Sequence, residues 1–226
     1  MNEQIQPTLF EVPDMASGLL ELFPAVWTAM EGLIAPEIER RRNAVERLDQ
    51  MGALRLSPLV VYVMCTRLEE PDIPLRTRII QLLGGLLTSE GSAQGVTTAV
   101  HQQLSSYLAR ARTRTVYCML QSTAYDARLE NCLARLLNAC PYAGSHLTDI
   151  LANRKNPLSI RKQAAHYIGV VGYLDATPAL ERIASRLETH LKGQEAMPFV
   201  SASQPPEREE ELLPYIYSSL LLLKVP

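Results

Sequence analysis

The side chains of this chain that are suited to chemistry are arginines and lysines in its middle third. Residues 101–170 carry nine basic and three acidic side chains, an excess of six positive charges in a protein whose net charge is −2. Guanidinium and ammonium groups bind carboxylates and phosphates. The sequence therefore predicts a basic strip for an acidic protein segment or phosphates, formed by Arg110, Arg112, Arg114, Arg154, Lys155, Arg161 and Lys162.

The strip depends on how the turns of the protein are arranged. Arg110 and Arg114 can share one helix face, whereas Arg112 joins them only at a bend. The four basic residues between 154 and 162 bracket a turn, and nearby tyrosines add surfaces for stacking. The alternative is that these charges are spread around solvated helix faces, where they have no common ligand.

A nucleophilic cysteine is the second kind of chemistry to consider. Cys132 and Cys140 can in principle converge with His146, an arrangement that activates thiols. However, Cys132 lies among leucines, including Leu129 and Leu133, where a small thiol fits a core. We therefore predict a packing role for it. The cysteine spacing indicates no disulfide framework, which favours a reducing cytoplasm.

Other catalytic and ligand-binding patterns are absent from the sequence. Gly84-Gly85 lies inside a helical period without a following Lys-Ser or Lys-Thr, so it does not resemble a phosphate-binding loop. The four histidines have no metal-ligand spacing. The longest apolar run, Leu59 to Cys65, is far shorter than the roughly 20 residues of a membrane span. We predict no catalytic, cofactor or metal residue and no membrane span.

The elements that position the basic residues are predicted to be helices. Aromatic residues make up only 6% of the chain and hydrophobic residues 47%, and Leu, Ala and Arg are abundant. We expect an all-α protein of about 10–11 helices, near residues 15–33 with a kink at Pro24, 36–51, 58–68, 75–88, 96–110, 112–123, 127–139, 143–153, 160–172, 175–192 and 207–224. Between 110 and 156 the pairing stays open, because 110–114 can also be a bend within a longer helix.

Composition also divides the chain into four regions. Residues 1–14 are polar and contain prolines, which predicts a flexible N-terminal arm. Residues 15–193 form the helical domain, and residues 194–206 read as a linker. Residues 207–224 form an apolar helix with acidic residues in its first turn. It either caps the helical domain or docks on another molecule, and capping is favoured.

One phrase of the sequence is repeated 120 positions later. Arg41, Ala44, Leu48, Gly52, Leu54 and Pro58 recur as Arg161, Ala164, Ile168, Gly172, Leu174 and Pro178. A third, shorter copy consists of Leu75-Arg76, Ile79 and Leu83-Gly84. In such a phrase alanine allows helices to approach closely, glycine allows the chain to reverse, and proline begins the next helix.

The phrase (Ile/Leu)-Arg-x-x-Ala-x-x-x-(Leu/Ile)-Gly resembles the HEAT-like repeat family, especially its short bacterial type. This resemblance implies an α-solenoid, or armadillo-like superhelix, of antiparallel helix pairs, in which the arginine commonly braces the neighbouring repeat. The positions that carry it, all assigned a structural role, are Arg41, Ala44, Gly52, Pro58, Arg76, Gly84, Ala164, Gly172 and Pro178.

The leading functional hypothesis is a non-enzymatic, cytoplasmic scaffold or adaptor that binds another protein through HEAT-like repeats. One alternative is a nucleic-acid-binding solenoid that uses the basic strip, although a pI near 6.1 argues against it. Another is an enzyme of the bilin-lyase type, whose repeats are also similar and which would need a pocket for a linear tetrapyrrole.

Overall fold

The structure, a computed structural model, describes residues 23–88, 96–195 and 209–224. Within these residues 82% of the chain is helical and no strand occurs, which confirms the all-α prediction. The predicted arm at 1–14 lies outside the described residues, as does the predicted linker at 194–206 apart from its first two residues.

The described residues form twelve α-helices. They are α1 (Pro24–Gly32), α2 (Ile38–Gln50), α3 (Ala53–Leu56), α4 (Pro58–Cys65), α5 (Ile73–Leu86), α6 (Thr98–Leu108), α7 (Thr113–Tyr125), α8 (Glu130–Asn138), α9 (Ala143–Ala152), α10 (Leu158–Val171), α11 (Thr177–Glu195) and α12 (Leu213–Lys224). Four 3-10 helices lie at Thr66–Glu69, Ala127–Leu129, Leu174–Ala176 and Glu209–Leu212. The single turn of α3 is the helix that the sequence did not predict.

The structure corrects the predicted start of the first helix and decides the pairing that the sequence left open after α6. Phe23 is extended, with φ −80° and ψ 122°, so α1 begins at Pro24 and no helix runs through this residue with a kink. The ring of a proline disfavours helical geometry in the preceding residue, whereas the first helical position suits proline well. Between α6 and α7, Arg112 is also extended, with φ −104° and ψ 163°. Three separate helices therefore follow α6, and residues 110–114 are not a bend in a longer helix.

The described part of the chain divides into two compact units. Among the described residues, unit 1 comprises 23–67, 85–88 and 96–107, and unit 2 comprises 68–84, 108–195 and 209–224. In unit 1, α1 packs against α2, α2 against α3, and α3 against α4. The first of these contacts is close, since a Cβ on Gly32 would lie 2.9 Å from the Cβ of Ala44.

In unit 2, α10 is the central helix. It packs against α7, α8, α9 and α12, and its residues Ala164, Ala165, Ile168 and Gly169 are buried. Small side chains let the neighbouring helices approach, so a Cβ on Gly169 would lie only 2.6 Å from the Cα of Ser219 in α12. The C-terminal helix is thus packed onto its own chain.

Local signals in the sequence explain the turns within each unit. Gly52 and Gly172 have φ values of 66° and 86°, in the left-handed region that glycine adopts at little cost. Gly172 ends α10 there, and Gly52 directly precedes α3. Ser57 caps α4, because its hydroxyl accepts a hydrogen bond of 3.2 Å from the backbone N–H of Val60.

Candidate functional site

The arginines of the repeated phrase bind the ends of preceding helical segments. Nη1 of Arg41 donates to the carbonyl of Ala35 at 2.9 Å, after α1, and Nη1 of Arg76 donates to that of Glu70 at 2.7 Å, after a 3-10 helix. Nε of Arg161 donates to the carbonyl of Leu151 at 2.8 Å, in the last turn of α9. The carbonyl of Leu151 is one of the terminal carbonyls that lack partners within their own helix and carry partial negative charge, so the guanidinium of Arg161 is a structural clamp there.

Arg76 has a second set of partners within unit 2. Its Nε donates to the hydroxyl of Ser122 at 2.9 Å, and its Nη2 donates to the side-chain carbonyl of Gln121 at 3.1 Å. The side chain is buried, and burial lowers the pKa of Arg76 by disfavouring the charged guanidinium. Arg76 therefore ties the start of α5 to α7.

Arg161 has a second partner of a different kind. Its Nη2 lies 2.7 Å from Oε1 of Glu209, which is 48 residues further along the chain. The Arg161 side chain is only 4% exposed and that of Glu209 is 27% exposed. Burial removes Arg161 from the predicted exposed strip, because both ends of its guanidinium are used inside the protein.

Two more arginines approach the same carboxylate oxygen. Nε of Arg154 lies 3.4 Å and Nη2 of Arg186 lies 3.5 Å from Oε1 of Glu209. Their side chains are 61% and 42% exposed. We call Arg154, Arg161 and Arg186 together with Glu209 the arginine cluster. One negative charge meets three positive ones in it, so the cluster carries an excess of two positive charges.

The turn before α10 places Arg154 at this site. The side-chain carbonyl of Asn153 accepts from the backbone N–H of Lys155 at 3.0 Å, and the amide of Asn156 donates to the carbonyl of Ile150 at 2.9 Å. Such local bonds make asparagine a preferred turn residue. Arg154 and Lys155 lie in this turn with exposed side chains.

Packing of α12 places Glu209 at the site. The hydroxyl of Ser219 donates to the carbonyl of Ala165 in α10 at 2.6 Å, and Leu212 and Ile216 are fully buried. Because the 3-10 helix Glu209–Leu212 leads directly into α12, this anchoring fixes the position of the Glu209 carboxylate. The acidic first turn predicted for the terminal helix is thus a separate short element with an electrostatic partner.

A second ion pair lies beside the cluster. Nζ of Lys162 lies 2.6 Å from Oε2 of Glu211 and 5.6 Å from the centroid of the Tyr215 ring. A lysine above an aromatic face gains a modest cation–π attraction. Two acidic residues of one 3-10 helix thus bind two neighbouring basic residues of α10, Arg161 and Lys162.

Two adjoining clefts open onto the cluster. The larger, of about 330 Å³, is lined by Arg154, Arg186, Leu187, Thr189, His190 and Glu209. The smaller, of about 230 Å³, is lined by Arg154, Asn156, Leu158, Arg161 and Glu209. Both clefts are therefore lined by donor groups of the arginine cluster.

The other predicted strip residues are not part of this cluster. Nε of Arg114 lies 3.1 Å from Oε2 of Glu69, and the Arg114 side chain is largely exposed. Arg110 and Arg112 are exposed, and within the described residues no ion pair or hydrogen bond joins them to the cluster. Of the predicted strip residues, exposed Arg154 and buried Arg161 belong to the cluster, and their chain neighbours Lys155 and Lys162 are exposed and 22% exposed, respectively.

Sequence reasoning missed Arg186 and Glu209. Leu180, Ile183 and Leu187 form the buried face of α11, and Arg186 flanks that face. This spacing marks Arg186 as a border residue, but the sequence contains no signal that pairs it with a carboxylate. Long-range ion pairs become visible only when α10, α11 and α12 are packed.

The cysteine and histidine candidates have separate structural partners. The hydroxyl of Thr113 donates to Nδ1 of His146 at 2.9 Å, and Nε2 of His146 donates to the carbonyl of Ala111 at 3.1 Å. Cys132 packs against Gly84. A Cβ added to Gly84 would lie 2.6 Å from the Cβ of Cys132. Burial raises the pKa of the Cys140 thiol, which suppresses the reactive thiolate.

Metal sites and membrane-spanning helices are both absent from the described part of the chain. No group of three or more histidine, cysteine or acidic side chains there is arranged to hold a metal ion. None of the helices described is both long enough and apolar enough to cross a membrane.

The fold and the site thus define an all-helical protein with an arginine cluster between α10, α11 and the segment before α12. Comparison of the chain with protein-family models, curated proteins and solved structures found no match.

Proposed function

We propose that this chain is a non-enzymatic HEAT-like repeat protein that binds another protein. The observation that supports the repeat is the shared contact of Arg41, Arg76 and Arg161. Each of these arginines stands at the same step of the repeated phrase, and each donates to a backbone carbonyl in the last turn of the preceding helical segment or just after that segment. A shared sequence phrase with a shared contact is what stacked helical repeats require.

Binding of a protein follows from what the repeats leave exposed. In a solenoid the helices bury their apolar faces against neighbouring repeats, while turns and edges stay accessible. Arg154 and Lys155 lie in the turn before α10 and are exposed, and the arginine cluster, to which Arg154 belongs, has more positive than negative groups. An uncompensated basic surface attracts an acidic partner and speeds its association.

Affinity capture tests this function. The tagged full-length chain is added to extracts of bacterial cells, retained proteins are identified by mass spectrometry, and each candidate is purified and titrated. We expect one partner that binds saturably with a Kd of about 1 μM or tighter at physiological salt. If no retained protein binds directly after purification, the proposal is wrong.

Nucleic-acid binding is the second candidate, because Arg110 and Arg112 are exposed and their charges are available to phosphates. Binding to a phosphate backbone weakens steeply with salt. A gel shift with single-stranded and double-stranded DNA and RNA at about 150 mM salt decides between the two candidates. Protein binding predicts no shift at micromolar chain, whereas a shift that weakens with salt supports the second candidate.

A further inference from the structure

The arginine cluster contains more donors than its carboxylate can satisfy. Only Arg161 lies at an ordinary hydrogen-bond distance, 2.7 Å, from Oε1 of Glu209. Arg154 and Arg186, at 3.4 and 3.5 Å, lie beyond the usual N–H···O range of about 2.7–3.2 Å. A guanidinium has about five N–H donors in a fixed plane, so both residues retain donors for another acceptor.

The larger cleft offers room for that acceptor. Both Arg154 and Arg186 line its volume of about 330 Å³, together with Thr189 and His190 as polar groups and Leu187 as an apolar one. A side chain that enters it meets two guanidinium groups, and Leu187 behind them is only 2% exposed. Polar groups of this kind fix the orientation of a ligand in binding pockets.

The chain itself shows which kind of segment fits this surface. Glu209 binds Arg161 and Glu211 binds Lys162 at 2.6 Å, so two acidic residues of one 3-10 helix already lie against two consecutive basic residues. We propose that Arg154 and Arg186 form a second carboxylate site beside Glu209, which binds an acidic side chain of a partner protein. This inference rests on the proposed protein-binding function and specifies the chemistry of the partner.

An acidic protein segment suits the site better than a nucleic acid does. A phosphate backbone is bound along a tract of many positive groups. Here carboxylates interrupt such a tract, because Glu211 pairs with Lys162 and Glu69 pairs with Arg114. A carboxylate side chain needs only the two guanidinium groups of Arg154 and Arg186, and paired N–H donors match its geometry.

Fluorescence anisotropy with a labelled hexaglutamate peptide tests the site in the full-length chain. The Arg154→Gln/Arg186→Gln variant removes both guanidinium groups and keeps the contact of Arg161 with Glu209. The matched control is Arg110→Gln/Arg112→Gln, which removes the same charge from exposed residues outside the cluster. We expect affinity to fall about tenfold in the first variant and less than about twofold in the control.

Three results with these short ligands would overturn the assignment of the carboxylate site. The first is no saturable binding of the peptide to the wild-type chain below about 1 mM. The second is an equal loss of affinity in the two variants, which indicates general electrostatic attraction. The third is tighter binding of a thymidine hexanucleotide than of the peptide, together with weaker binding of that hexanucleotide to the Arg154→Gln/Arg186→Gln variant.

A Glu209→Gln variant with higher peptide affinity supports the site, because it removes a neighbouring negative charge.

Different results would contradict the carboxylate site and the proposed protein-binding function. A captured partner that binds the Arg154→Gln/Arg186→Gln variant as tightly as the wild type overturns the carboxylate site but leaves protein binding in place. Absence of any directly binding partner overturns the proposed function, whatever the hexaglutamate peptide does.

Discussion

The arginines of the cluster differ in their burial, and this difference indicates different roles. Arg161 is 4% exposed and binds the carbonyl of Leu151 and the carboxylate of Glu209 within one unit. Arg154, only seven positions earlier, is 61% exposed and keeps a long contact to the same carboxylate. A buried charge that loses its partner is costly, whereas an exposed ion pair contributes little to stability. Stability is therefore expected from Arg161 and binding from Arg154.

Replacing Arg161 by glutamine tests whether this residue stabilises the folded chain. The change removes two charge-assisted hydrogen bonds, so the free energy of unfolding should fall by about 3 kcal/mol. Urea unfolding followed by circular dichroism measures it. Arg182→Gln is the control, because this side chain is exposed and should change stability by less than about 0.5 kcal/mol. Equal stability of the two variants would contradict the clamp.

The thiol of Cys65 gives a pH-dependent prediction. Burial raises the pKa of this thiol from 9.0 to about 12, so the folded chain keeps a proton that the unfolded chain loses above pH 9.0. The stability contributed by this group is present below pH 9.0 and is lost as the pH rises towards about 12. Thermal melts are recorded for the wild type and Cys65→Ala across this pH interval. The melting temperature should decline less in the variant than in the wild type. Parallel declines would show that the thiol does not titrate in this way.

Helix packing depends on close approaches at particular glycines. A Cβ at Gly84 would lie 2.6 Å from Cβ and 2.7 Å from the backbone oxygen of Cys132, whereas one at Gly85 meets nothing within 4 Å. Two neighbouring residues of α5 therefore differ in what they tolerate.

This pair of glycines provides a matched experiment. Gly84→Ala should destabilise the chain by about 1–3 kcal/mol, because α5 and α8 must move apart. Gly85→Ala should stabilise it by about 0.5–1 kcal/mol, because alanine costs less conformational entropy in a helix than glycine. Chemical unfolding of both variants measures the difference, and the same sign for both changes would contradict the described packing of α5 on α8.

Most helices were predictable because their signals are local. Ser57 and Pro58 mark the start of α4, and Gly172 marks the end of α10. The single turn of α3 was not predicted, because four residues do not establish a helical period. The arginine cluster was predictable only in part. Arg154 and Arg161 stand in a visibly basic zone, but Glu209 reaches them from 48 residues beyond Arg161, and no local pattern encodes such a contact.

At the scale of the whole chain, the packing of its C-terminal helix has a direct consequence. The residues of α12 and its preceding 3-10 helix that are buried in unit 2 include Leu212, Ile216, Ser219 and Leu220. Removing them exposes the apolar face of α10 and leaves the arginine cluster without Glu209. Uncapped repeats lose the contacts that a neighbouring element supplies.

Truncation after residue 195 should therefore lower the melting temperature of the chain. Differential scanning calorimetry measures the loss, and a synthetic peptide of residues 209–224 added to the truncated chain should restore part of it. An unchanged melting temperature in the truncated chain would show that α12 does not stabilise unit 2. In that case the contacts of Ser219 with Ala165 and Gly169 would not contribute to the stability of the fold.

Zero-length cross-linking tests most directly whether this chain is a repeat protein that binds an acidic partner. A carbodiimide joins lysine amines to carboxylates in contact, and the chain has lysines at 155, 162, 192 and 224. With a captured partner bound, we expect cross-links from its Asp or Glu side chains to Lys155, next to Arg154. Cross-links confined to Lys224, or no cross-linked partner at all, would contradict the account.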